Sequence, residues 1–212
     1  MMKMRIACEM VLISCSMWSA TGSMARADLI TFGREHVAGN SLIDELKSGS
    51  ITRMGLTATF TANVGELNAN STTFGINAPG SGDDPARLDT FNGVEEFITV
   101  TFDRPVTFTQ LKLSDFSPGE SALLKIGLNE TLTLVPFDAA TDIYDFTNES
   151  FLLGNSIAPG QSLVIGSATG NGFSLESFDV NTVPEPSCLG AALPALAGLL
   201  FRRKRKPSVL SR

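Results

Sequence analysis

Apolar and polar positions alternate in short runs through the middle of the chain, and each run ends in a cluster of Gly, Pro, Asn or Asp. That texture, rich in Thr, Val, Ile and Phe, predicts strands. From Glu96 to Asp103, Ile98, Val100 and Phe102 share one face while Thr99, Thr101 and Asp103 share the other, giving a strand with one core face and one wet face. Arg104-Pro105 turns the chain into a strand that opens with Val106 and Phe108. Its later apolar residues, Leu111 and Leu113, have slipped by one position, which predicts a β-bulge near Thr109-Gln110. Ala122, Leu124, Ile126 and Leu128 alternate again, and Asn129-Glu130 predicts a tight hairpin back through Leu132 and Leu134. Phe173 and Leu175 are out of phase with Phe178 and Val180, which predicts a second bulge.

Shorter runs place strands at Leu29 to Phe32, Ile51 to Thr61, Thr72 to Ile76, Ile143 to Phe146 and Ser162 to Ile165, with turns at Pro159-Gly160 and Gly170-Asn171-Gly172. Asn40 to Lys47, followed by Gly49, reads equally as a short capped helix or as an edge strand and loop. About nine or ten short strands predict an all-β fold in which two antiparallel sheets pack as a β-sandwich.

The two ends have a different pattern. Lys3 and Arg5 precede an apolar stretch from Met10 to Trp18, and Ala25-Arg26-Ala27 supplies small residues where a signal peptidase reads, so residues 1–27 form a predicted signal peptide and Asp28 the mature N-terminus. A competing reading takes Leu12-Ile13-Ser14-Cys15 as a lipobox, with Cys15 lipidated. At the other end Val183-Pro184-Glu185-Pro186 must lie extended, because each Pro lacks an N–H and restricts the residue before it. Leu189 to Phe201 then runs without charge for 13 residues. As a helix it would be about 20 Å long, against a hydrocarbon core of about 30 Å, a marginal membrane span. Arg202, Arg203, Lys204, Arg205 and Lys206 follow as a stop-transfer cluster expected on the cytoplasmic face.

That order over residues 183–206 resembles the PEP-CTERM sorting signal of Gram-negative bacteria: the Pro-Glu-Pro motif, a short apolar segment with small residues, then an Arg-rich end. Pro194 inside the apolar segment and the six further residues Pro207 to Arg212 depart from the pattern. The resemblance implies recognition by an exosortase, a membrane-embedded transpeptidase-like enzyme. It also implies cleavage near Pro184 to Pro186 and passage from an inner-membrane precursor to the cell surface or extracellular matrix. Residues 28–182 are then the exported domain. Gly80 to Phe102, with Gly170-Asn171-Gly172-Phe173-Ser174, looks similar to the jelly-roll-type domains found ahead of such tails, some of them carbohydrate-binding or matrix-associated.

Charge changes the picture further. The overall net charge of −6 conceals 21 acidic and 7 basic side chains between Asp28 and Ser187, a net of −14, with six bases from Arg202 onward. Such an acidic middle is unsuited to nucleic acid. Cys8, Cys15 and Cys188 all fall in the terminal signals, so the domain has no disulfide and no thiolate metal site. Cys188 reads as an acylation site or simply as a small apolar residue opening the span.

Candidate chemistry centres on Asp83-Asp84 and Asp89, in a Gly/Pro-bounded loop before a strand. Calcium takes six to eight oxygens, and such a loop at the edge of a sandwich supplies carboxylates, with Glu95 or Asp179 as candidates to complete the set. The alternative is a solvated acidic turn. Glycoside hydrolysis needs two carboxyls facing across a sugar, and Glu95-Glu96 point to opposite faces of a strand. His36 is the only histidine, which argues against a Ser-His-Asp triad and a zinc site. The sequons at Asn70, Asn129 and Asn148 read as turns.

The expected function is therefore non-enzymatic, a structural or adhesive matrix component with exopolysaccharide as a possible partner and no cofactor beyond calcium. The alternative is a carbohydrate-binding module, calcium-dependent or not, marked by an exposed aromatic strip beside the acidic loop. A glycan-active hydrolase would need facing carboxylates in a cleft.

Overall fold

The computed structural model of the chain describes residues 27–34, 43–69, 74–79, 83–91, 93–137, 141–147 and 154–183. Ala25, His36, the three cysteines, Pro184 to Pro186, the apolar segment and the basic cluster lie outside them.

Fifteen strands are found among the described residues. In chain order they are β1 Leu29–Gly33, β2 Ser48–Arg53, β3 Leu56–Ala62, β4 Glu66–Ala69, β5 Phe74–Asn77, β6 Thr90–Phe91, β7 Val94–Glu95, β8 Phe97–Phe102, β9 Val106–Ser114, β10 Ser121–Ile126, β11 Leu132–Leu134, β12 Thr141–Asp145, β13 Ser156–Ile157, β14 Ser162–Thr169 and β15 Ser174–Thr182. One sheet runs β1-β15-β9-β12, with β13 also on β9; the other runs β11-β10-β14-β8-β3-β2. Pairing is antiparallel throughout, and β4-β5 and β6-β7 form two small separate ladders. The fold is thus all-β and sandwich-like.

The two sheets share one core because alternate residues of each point at the other. Phe32, Phe108 and Phe178 from the first sheet meet Phe60 and Phe102 from the second, with Phe178 within 6.4 Å, centroid to centroid, of each of the other four rings. Alternate positions of β2 and β3 carry hydroxyls, and Ser48–Thr61, Ser50–Thr59 and Thr52–Thr57 bond to each other across the pair.

Both predicted bulges are present. Opposite β15, Gln110 pairs with Asp179 and Phe108 with Val180, so Thr109 is the extra residue; opposite β9, Leu175 pairs with Leu113 and Ser177 with Lys112, so Glu176 is. Each lets a strand keep an apolar face inward through the phase slip visible in its sequence.

Other expectations need correction. Ile51 to Thr61 is no single strand: it folds at Met54-Gly55 into the β2-β3 hairpin, both residues at positive φ (46° and 77°), as a two-residue type I′ loop demands. The hairpin between β10 and β11 is not tight, since residues 127–131 separate the strands and Leu128 is 84% exposed instead of continuing the apolar face. Asn129 there donates its amide to the Gly154 carbonyl, so it serves the turn. Residues 43–47 are a turn and an isolated bridge from Leu46 to Leu67, which favours the loop reading over the helix. β4 and the β6-β7 ladder were not anticipated, since four residues or fewer carry too little periodicity.

Candidate metal centre

Between β5 and β8 the described residues 83–91 and 93–96 form a strap that bonds to both sheets. Its central residues hydrogen-bond to elements far away in sequence: Arg87 O accepts from Ile76 N at 3.0 Å, Leu88 and Phe173 exchange N–H···O bonds at 2.7 and 3.1 Å, and Glu96 O accepts from Ser167 N at 3.0 Å. Two glycines make the close approach possible. A Cβ on Gly75 would overlap the Arg87 backbone, and one on Gly172, at φ +80°, would overlap the Leu88 carbonyl and come 2.7 Å from Asp89 Cβ. Gly172→Ala is therefore expected to destabilise the fold by more than about 1 kcal/mol, through backbone strain and displacement of the strap, read as a lowered urea midpoint. A midpoint equal to wild type would mean that the strap is not seated this way.

The strap brings Asp83, Asp89 and Glu96 together. One carboxylate oxygen of each lies within 4.8 Å of the other two, and Glu96 is fully buried while Asp89 is 8% exposed. Glu96 and Asp89 are locked by a short loop in which Asp89 N donates to Glu96 Oε2 at 3.1 Å and Glu96 N to Asp89 O at 3.0 Å. Asp83 Oδ2 accepts from Ala78 N at 3.0 Å. On the other side of the ledger, Asp83 Oδ1, Asp89 Oδ1 and Glu96 Oε1 are all buried without a hydrogen-bond partner, as is Thr90 Oγ1.

Burial and mutual repulsion disfavour three charges here. Desolvation, then the charges of Asp89 and Asp83, push the Glu96 carboxyl up to about 8, outweighing the Asp89 N–H that favours the ionised form. Asp89 is raised by burial and by the charges of Asp83 and Asp84; Asp83 is raised by burial, against the Ala78 N–H. No Lys or Arg among the described residues pairs with the three, since the Arg87 guanidinium sits 3.3 Å from Asp84 instead. Either a proton or a cation has to occupy the space between these oxygens.

The expected ligand set is therefore changed in one member. Asp83 and Asp89 converge, but Asp84 turns away, capping its own turn through Ala86 N and pairing with Arg87. Of the two residues considered for completing the set, Glu95 is exposed and Asp179 sits in β15 against β1 and β9. Glu96 joins instead. The sequence reading passed over it, although Glu96 is in phase with Ile98, Val100 and Phe102 and that parity puts its carboxylate on the core side.

Elsewhere the described surface offers shallow hollows. One, about 180 Å³, lies over the second sheet between Glu95, Phe97, Leu123, Lys125 and Val164, with Glu95 its single carboxylate. Another, about 320 Å³, lies over the first sheet and includes Asp145 and Asp179, both opposite Gln110. Thr147 donates to Asp145 through its N–H (2.8 Å) and hydroxyl (2.6 Å), which holds that carboxyl below the usual range and unsuits it as a general acid. No protein-family model matches the chain, and no curated protein is significantly similar to it.

Proposed function

We propose that this is an exported, non-catalytic β-sandwich of jelly-roll type, delivered by a signal peptide and sorted by an exosortase-type enzyme from the inner membrane to the cell surface or extracellular matrix of a Gram-negative bacterium, where exopolysaccharide is its expected neighbour. The observation that carries the proposal is the fixed order of Val183-Pro184-Glu185-Pro186, the uncharged segment Leu189 to Phe201 and the basic cluster Arg202 to Lys206. The domain's own geometry supports it. Asp28 O accepts from Thr182 N at 3.3 Å, and Val183 N donates to Pro105 O at 3.2 Å, so residues 28 and 183 leave the same end of the first sheet side by side. Both membrane-directed segments thus begin at one pole, and removing both leaves β1 and β15 paired in full.

The non-catalytic part of the reading rests on the carboxylates. Among the described residues, Asp83, Asp89 and Glu96 converge where two of the three are buried, and of the two carboxylates in the hollow over the first sheet, Asp145 is held ionised by Thr147 and so is a poor general acid. A glycan-binding role would rest on Phe97, 37% exposed beside Glu95, and Phe137, 64% exposed against Tyr144, the two exposed rings among the described residues.

Replacing Pro184, Glu185 and Pro186 together by Ala tests the sorting. The expected result is an uncleaved precursor held in the inner membrane, detected by fractionation and by intact mass. Processing and location identical to wild type would refute the proposal.

A further inference from the structure

We propose that Asp83, Asp89 and Glu96 form a structural binding site for one hard divalent cation of the calcium class, which fastens the strap to the sandwich. The site stands on geometry and does not depend on where the protein is sent. Three carboxylates from three separate stretches of the strap place one oxygen each within 4.8 Å of the others. Three oxygens within 4.8 Å of one another lie at most about 2.8 Å from a common point, so side-chain adjustments of a few tenths of an ångström bring all three to the 2.3–2.6 Å of a calcium–oxygen contact. Glu96 is fully buried and Asp89 nearly so, and each has one buried oxygen, Oε1 and Oδ1, with no hydrogen-bond partner. Buried polar atoms are nearly always satisfied, so three converging carboxylates that each keep a buried unpaired oxygen call for a cation between them or, without one, a proton shared by Glu96 and Asp83.

The donor set selects the class. It is all oxygen, with no thiolate or imidazole among the described residues of the strap, which suits calcium or magnesium and not zinc or copper. Asp83 is the half-exposed member, so waters on its side can complete the coordination. The consequence is mechanical. Asp83 lies between β5 and β6, Asp89 just before β6 and Glu96 just before β8, so a shared ion ties three points along the strap together.

The test uses the full-length protein stripped of metal on a chelating resin. Calcium chloride is expected to bind with one ion per chain, a dissociation constant on the order of 10⁻⁴–10⁻³ M, and a rise of several degrees in Tm at 10 mM that EDTA reverses. Magnesium chloride at the same concentration is expected to act more weakly, since magnesium holds its water more tightly. Glu96→Gln keeps the size and the acceptor for Asp89 N while its new N–H₂ donates to the facing carboxylates, so this variant should fold. It should bind calcium at least about tenfold more weakly and, in EDTA, match or exceed wild type in Tm. Glu95→Gln removes the same charge one residue away on the exposed face and should leave calcium binding unchanged. Absence of a saturable, EDTA-reversible calcium effect in wild type would overturn the proposal. Equal calcium binding in Glu96→Gln and wild type would overturn it as well, by locating the ion elsewhere.

Discussion

Replacing Phe178 with Ala is expected to lower unfolding free energy by about 3–5 kcal/mol, a large part of the roughly 5–15 kcal/mol that holds a domain of this size. Phe178 is 1% exposed and is the ring at which the two sheets meet, stacked on Phe32 at 5.4 Å and packed against Phe60, Phe102 and Phe108 at 6.0 to 6.4 Å. Removing it loses the transfer energy of the ring and four aromatic contacts. It also leaves a cavity walled by strands that cannot collapse without breaking ladder bonds. Leu128→Ala provides the contrast: the side chain is 84% exposed in the β10-β11 loop, and the change should stay within about 0.5 kcal/mol. Urea titrations of the two variants would measure both. A Phe178→Ala midpoint indistinguishable from that of Leu128→Ala would mean that the sheets are not joined through this cluster.

In metal-free buffer the domain is expected to lose stability as pH rises from about 5 to about 8. The unfolded chain releases the Glu96 proton near 4.5 whereas the folded chain keeps it up to about 8, so between those values the native state binds more protons and each step up in pH favours unfolding. The full linkage for that interval is about 5 kcal/mol. Because Asp83 leaves the cluster partly open to water, about half of that, roughly 2–3 kcal/mol, is the reasonable expectation. Asp83 and Asp89 face the same space and are raised in the same direction, the Asp84 carboxylate adds to the repulsion, and the Arg87 charge opposes it. Glu96→Gln has no proton to lose at that position, so its stability should depend less on pH over this range. Thermal unfolding in EDTA at pH 5, 6.5 and 8 would record both curves. A wild-type Tm that climbs with pH in EDTA would show that the carboxyl is not held protonated. Saturating calcium, which binds the ionised set, should flatten or reverse the slope.

Much of the sandwich was legible in the chain, because a strand between two sheets must put every second side chain into the core. The alternation of Ile98, Val100 and Phe102 gave β8, and the phase slips at Thr109-Gln110 and between Leu175 and Phe178 gave the bulges at Thr109 and Glu176, since a strand cannot keep an apolar face inward across a slip without an extra residue. Elements too short for a period, or whose period runs on through a turn, were not legible. Ile51 to Thr61 alternates across its own turn, so only the pairing of Arg53 with Leu56 reveals the hairpin. β4, β6 and β7 are too short to have a period, and they pair with near neighbours in the chain, β4 with β5 and β6 with β7.

The carboxylate cluster divides along the same line. The Gly/Pro-bounded acidic loop pointed to Asp83 and Asp89, and the parity of Glu96 with Ile98 already set a carboxylate on the core side of β8. What sequence alone determined about this protein is local: strand periods, bulge positions, the acidic cysteine-free middle and the order of motifs at its two ends, all properties of neighbours along the chain. What only the tertiary structure decided is which partners meet. It excluded Asp84, drawn off by Arg87, admitted Glu96, and set three carboxylates around one space. That outcome depends on Gly75 in β5 letting Arg87 lie against it and on Gly172, just before β15 and far along the chain from Leu88, doing the same, a steric fit that no local pattern encodes.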